Sequence, residues 1–170
     1  MSVPIFTATA RGKLSGGPLT CRCVLGQGGV VAAGHKREGD GTSPQGTWPL
    51  RRVFYRADRL SRPQTQLACI PLRPQDGWCD DPDHPLYNRP VTKPFPARHE
   101  DLWRTDHIYD IVVELGHNDA PVQPRRGSAV FLHLARPDFG PTRGCVAIDL
   151  PDMLRLLHLS TPTTELTITF

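Results

Sequence analysis

From position 133 to position 148 the chain reads His-Leu-Ala-Arg-Pro-Asp-Phe-Gly-Pro-Thr-Arg-Gly-Cys-Val-Ala-Ile. An imidazole and a thiol therefore stand 12 positions apart, with Gly and Pro in the loop between them. A thiol attacks a carbonyl as its thiolate, so it needs a base or a cation nearby. His133 and Arg143 are the candidates, and Cys145 is the nucleophile they would serve. Gly144 lets the backbone pass close to a substrate, which makes the amide N–H groups around Gly144 and Cys145 candidates for holding an oxyanion. The same residue types also fit a buried strand cysteine and a core histidine, and the types alone do not choose.

These groups need rigid elements beneath them. Residues 128–133 predict a strand that ends on His133, and residues 110–115, Asp-Ile-Val-Val-Glu-Leu, predict the strand before it. Residues 5–10 and 19–25 read as an opening hairpin with a turn over 13–18. Residues 48–55 and 165–170 read as further strands. The segment 151–157 has apolar residues at helical spacing and Pro151 suited to a first turn, so it predicts a short helix. Residues 26–46 carry loop chemistry. Residues 56–100, dense in Pro, Asp and Arg, are expected to form a long structureless insert acting as a lid or binding loop.

Composition agrees with many turns between short strands. The chain has 15 Gly and 18 Pro in 170 residues, and no repeat period. Hydrophobic residues at 38% and charged residues at 22% exclude a disordered chain and a helical membrane protein. The net charge of +3 comes without a basic run or interleaved aromatics, so a nucleic-acid partner is not expected. Isolated arginines suit bidentate recognition of carboxylates instead. Five cysteines leave at least one unpaired. Cys21 and Cys23 alternate with Leu19 and Leu25 and are expected to be small buried hydrophobes. Met1-Ser2-Val3-Pro4-Ile5 shows no basic region followed by an apolar one, from which a cytoplasmic location with reduced thiols and no membrane partner is expected. The expectation is a single mainly β domain over residues 1–170, with one or two short helices and long loops.

The pattern around Cys145 resembles the L,D-transpeptidase (YkuD-type) catalytic domain. That family carries a His at a strand end, a loop, then Ser/Thr-His-Gly-Cys-Val/Ile and a basic residue. Thr142, Gly144, Cys145 and Val146 fit the pattern, and His133 lies where the family's base lies. A second family element, Thr-Pro-x-Gly-x-aromatic, is matched by Ser43-Pro44-Gln45-Gly46-Thr47-Trp48. The departures are Arg143 for the family's His, Ala147 for the basic residue, and a short segment over residues 134–143.

The resemblance implies a β-sandwich or barrel and a thioester mechanism on peptidoglycan-derived peptides, with no cofactor and no metal. Cys145 would attack the carbonyl on the L-centre of diaminopimelate and expel D-Ala, and water or a second amine would take the acyl group. Together with the expected location, this favours an L,D-carboxypeptidase in wall recycling over a cross-linking L,D-transpeptidase or a non-catalytic peptide-binding domain. Thr142, Arg136 and Arg143 are the expected substrate contacts, with Arg143 best placed for a carboxylate. Trp78 within Trp78-Cys79-Asp80-Asp81 is a candidate lid residue. His117 and Asn118 follow a strand and are candidates for the pocket, although a turn explains them equally well. Asp81, Asp83 and His84 fit an exposed acidic loop better than a metal site.

Overall fold

The computed structural model describes residues 4–170, so the reading of the first residues as lacking a leader lies largely outside it. The described residues form thirteen strands and one α-helix. Strands β1 (Ile5–Thr9), β2 (Lys13–Gly16) and β3 (Leu19–Arg22) come first, then β4 (Val30–Ala32), a 3-10 turn at Ala33–His35 and the long β5 (Ser43–Tyr55). The middle holds β6 (Cys69–Pro71), β7 (Asp76–Cys79), β8 (Pro90–Thr92) and β9 (His99–Asp101). The last part holds β10 (Ile111–Leu115), β11 (Phe131–Leu134), β12 (Val146–Ile148), helix α1 (Leu150–Leu159) and β13 (Glu165–Thr169).

One large sheet runs β12-β11-β10-β5-β13-β1-β2-β3, with β4 and β6 added along β5. Its ends meet: Val24, just beyond β3, bridges Ala147 of β12, and Gly26 bridges Thr142. The sheet is thereby nearly closed into a barrel, which leaves few edges unpaired. Mainly β architecture with one short helix is what the sequence led us to expect.

Alternation along the strands builds two cores. Val53, Ile111, Val113, Leu132, Leu134, Val146 and Ile148 point inside the barrel with Phe6, Leu14 and Leu166. Helix α1 seals this core with Met153, Leu156 and Leu157, and its N-terminus is capped by Asp149, which accepts from the Asp152 N–H at 3.0 Å. The opposite face of the same strands presents Phe54, Val112 and Phe131, covered by Leu72, Trp78, Leu102 and Tyr109. Covering both faces explains why residues 111–113 are an unbroken apolar run.

Two expectations change here. Residues 56–100 are not structureless: β7, β8 and β9 form a separate three-stranded sheet that roofs the outer face. The strands are too short for a periodic signal, and their partners lie far along the sequence. The turn expected over 13–18 contains β2, which pairs with both β1 and β3.

Candidate functional site

The parallel pairing of β11 and β12 sets His133 opposite Ala147. His133 and Phe131 share the outer face, as do Ala147 and Cys145, so the thiol and imidazole project on the same side of the sheet one step apart. Both line a cavity of about 750 Å³ between the large sheet and the roof. Thr142, Gly144, Arg143 and Arg136 line it too.

Side-chain and backbone bonds fix the nucleophile segment from behind. The Thr142 hydroxyl donates to the Cys145 carbonyl at 2.7 Å and accepts from the Gly144 N–H at 3.1 Å. The Ser43 hydroxyl donates to the Gly144 carbonyl at 2.8 Å while accepting from the Gly26 N–H at 2.9 Å. Gly144 sits at φ +138°, and a Cβ there would lie 2.7 Å from the Thr42 carbonyl oxygen. Glycine is therefore required by its own backbone and by the loop behind it. With the Gly144 N–H engaged, and no protein partner for the Cys145 N–H among the described residues, the latter is the amide available for an oxyanion.

The thiol rests against the strand. Cys145 Sγ donates to the Ala129 carbonyl at 3.2 Å and accepts from the Phe131 N–H at 3.4 Å. Among the described residues no hydrogen bond joins it to His133. Burial, and then the nearby Glu100 carboxyl, push its pKa up to about 12, against the Phe131 N–H and Lys36. Burial lowers the His133 pKa to about 4, only partly offset by its bond to the Leu134 carbonyl at 2.9 Å. With Nδ1–H donating to that carbonyl, Nε2 is the basic nitrogen. At neutral pH the resting pair is a thiol and a neutral imidazole, so His133 is suited to take a proton during attack rather than to hold an ion pair beforehand.

The family model for the L,D-transpeptidase catalytic domain (YkuD) matches residues 10–168. The chain belongs to that family. The solved structure of Mycobacterium tuberculosis L,D-transpeptidase 1 is similar to it at 10% identity and a TM-score of 0.44, over 99% of this chain and 62% of that one. The chain thus spans less than two thirds of that structure. No curated protein matches the sequence.

Within this L,D-transpeptidase domain, three residues expected at the pocket lie elsewhere. Trp78 is 2% exposed and no lid tip. Its ring packs edge-on against Phe131 with centroids 5.0 Å apart, and its indole N–H donates to Asn88 Oδ1 at 2.9 Å. It bolts the roof to the sheet. His117 is buried against Trp48, centroids 4.8 Å apart, and does not line the cavity. Asn118, at φ +52°, closes the following loop by donating to the carbonyls of Gln123 and Gly127 and accepting from the Gln123 N–H. The left-handed tolerance of Asn and its short amide suit it to that turn.

Other cavity residues escaped the sequence reading. Tyr109 donates a short hydrogen bond to Glu100 of β9, and its ring lies edge-on to His133 with centroids 5.2 Å apart. Burial raises both the Glu100 carboxyl and the Tyr109 phenol above their ordinary ranges. Lys36 enters from the loop before β5. None has a motif; only the roof and the loop packing bring them near Cys145.

Proposed function

We propose that this domain is a cysteine acyl-transfer enzyme that acts as an L,D-carboxypeptidase, removing the terminal D-Ala from a peptidoglycan stem tetrapeptide. The observation that carries the reading is the common placement of Cys145 and His133 on one cavity wall, flanked by Arg136 and Arg143, neither of which forms a salt bridge among the described residues. Free guanidinium groups at a cavity mouth suit carboxylates, such as those of a peptide's C-terminus and of diaminopimelate.

In this mechanism the thiol leaves the Ala129 carbonyl and gives its proton to His133 Nε2. The sulfur forms a C–S bond to the carbonyl on the L-centre of diaminopimelate, and the oxyanion is met by the Cys145 N–H. The tetrahedral adduct collapses with cleavage of the C–N bond. His133 returns the proton to the departing D-Ala nitrogen, leaving a thioester. Water, losing its proton to His133, then releases the tripeptide carboxylate and restores the thiol. The short segment 134–143 leaves little protein to hold a second stem peptide, which favours water over an amine.

Incubation with a free tetrapeptide and with a disaccharide tetrapeptide, followed by mass spectrometry, tests this. Free D-Ala and tripeptide are expected, with none from Cys145→Ala. Cross-linked dimers as the main product would replace the hydrolytic reading by transpeptidation. Release that persists in Cys145→Ala would end the cysteine mechanism.

A further inference from the structure

Cys145 is half-buried beside an acid, and Arg143, the cation expected to favour its thiolate, is an exposed residue of the cavity wall that is not among the groups acting on the thiol. A different cation reaches the segment from behind. Lys36 follows the 3-10 turn, is only 4% exposed, and lines the cavity with Cys145. Its Nζ lies 3.9 Å from where a Cβ on Gly144 would stand, one residue before the nucleophile.

The ammonium is held in place. Nζ donates to the Arg37 carbonyl at 2.9 Å and to Asp40 Oδ1 at 2.5 Å, which uses two of its three N–H groups. Asp40 is itself fixed by the N–H groups of Arg37 and Thr42 at 2.8 and 2.9 Å. Burial alone would raise this carboxyl, but bonds from Lys36, Thr42 and Arg37 bring it down to about 2. The remaining N–H of Lys36 has no protein partner among the described residues. In a low-dielectric pocket a fixed charge acts more strongly than one in water.

We propose that Lys36, delivered by the loop between β4 and β5, is the electrostatic positioning residue that stabilises the Cys145 thiolate, the role the sequence suggested for Arg143. It acts through Cys145 and takes no proton in the reaction. The groups facing the pair are few. Glu100 from β9, with Tyr109 and His133, faces Cys145 from the roof and the sheet. Asp40 faces Lys36 from its own loop, and His117 faces it from beyond β10, lowered to about 4 by burial and by Lys36 itself. Lys36 and Glu100 thus bias the thiol in opposite directions.

The inference rests on Cys145 as the nucleophile, yet its test needs no substrate and so fails or stands separately from the proposed function. The rate of iodoacetamide alkylation is followed from pH 6 to 11, and each of the five thiols is assigned by peptide mass mapping. Lys36→Met is expected to shift the Cys145 profile to higher pH by about one unit, about a tenfold slower reaction near neutrality. Lys36→Arg should recover most of the loss. Asp40→Asn removes the same ion pair but keeps the positive charge, so it should not slow the reaction. An unchanged profile in Lys36→Met overturns the proposal. So does equal slowing in Lys36→Met and Asp40→Asn, which would mean that the pair only shapes the loop. Should Lys36→Met fail to fold, Lys36→Arg and Asp40→Asn decide alone: both at wild-type rates or faster support the role, and slowing in Asp40→Asn overturns it.

Discussion

Gly144→Ala isolates the backbone requirement of the nucleophile turn. At φ +138° an alanine meets a conformation that L residues rarely adopt, which costs about 1–3 kcal/mol. Its methyl group would also stand 2.7 Å from the Thr42 carbonyl oxygen, a backbone atom that cannot rotate away. Moving Thr42 disturbs its neighbour Ser43, whose hydroxyl holds both Gly26 and Gly144. The two costs together come to about 2–4 kcal/mol. For a chain of this size that lowers Tm by about 5–15 °C. Urea unfolding with a common m-value gives the stability change, and alkylation of Cys145 reports whether the thiol has moved. Gly17→Ala serves as the control, because φ is +53° there and nothing lies within 4 Å of the new methyl. It should cost only about 1 kcal/mol. Equal losses in the two variants, or a change below about 0.5 kcal/mol in Gly144→Ala, would refute the argument from Thr42.

Three other outcomes follow from the site. With the Cys145 thiol near 12 and the His133 imidazole near 4, alkylation in the wild type should climb steadily above pH 9 and show no plateau between pH 5 and 8; such a plateau would reveal a preformed ion pair. Trp78→Ala should cost about 3–5 kcal/mol by emptying the space over Phe131, measured by urea unfolding, and a loss below about 1 kcal/mol would contradict its role as a bolt. Arg143→Ala should raise KM for the tetrapeptide about tenfold or more while leaving the fold intact, since a charge-assisted pair is worth about 1.5–3 kcal/mol; an unchanged KM would free Arg143 from substrate contact.

The legible parts of the chain were those where pattern and packing coincide. The β10 run, β13 and helix α1 announce themselves because each buries a periodic or continuous apolar surface. Cys145 and His133 were legible as a pair through the resemblance of residues 133–146 to the family pattern, and the parallel pairing of β11 with β12 gives them a common face. Lys36, Glu100 and Tyr109 were not, since nothing local distinguishes a lysine in a Gly-rich loop or a glutamate on a three-residue strand. Their positions depend on long-range contacts: Gly26 with Thr142, Ser43 with Gly144, and the roof against Phe131. Trp78 misled for the opposite reason, because its polar neighbours suggested exposure while the indole is the largest side chain joining the two sheets.

The three-stranded roof separates two kinds of change that most enzymes mix. Its strands supply Glu100 and the Trp78 anchor but contribute nothing to the interior of the barrel, whose packing is completed by α1 and the eight-strand path. Residues 76–101, which carry the roof strands and give no side chain to the barrel core, can therefore be lengthened, exchanged or recombined between relatives so long as an aromatic still lands on Phe131. Such grafts would retune what enters the cavity while the strands bearing the thiol and the imidazole keep their register. In an evolving lineage, substrate range is then free to drift at the roof under selection that the barrel barely feels.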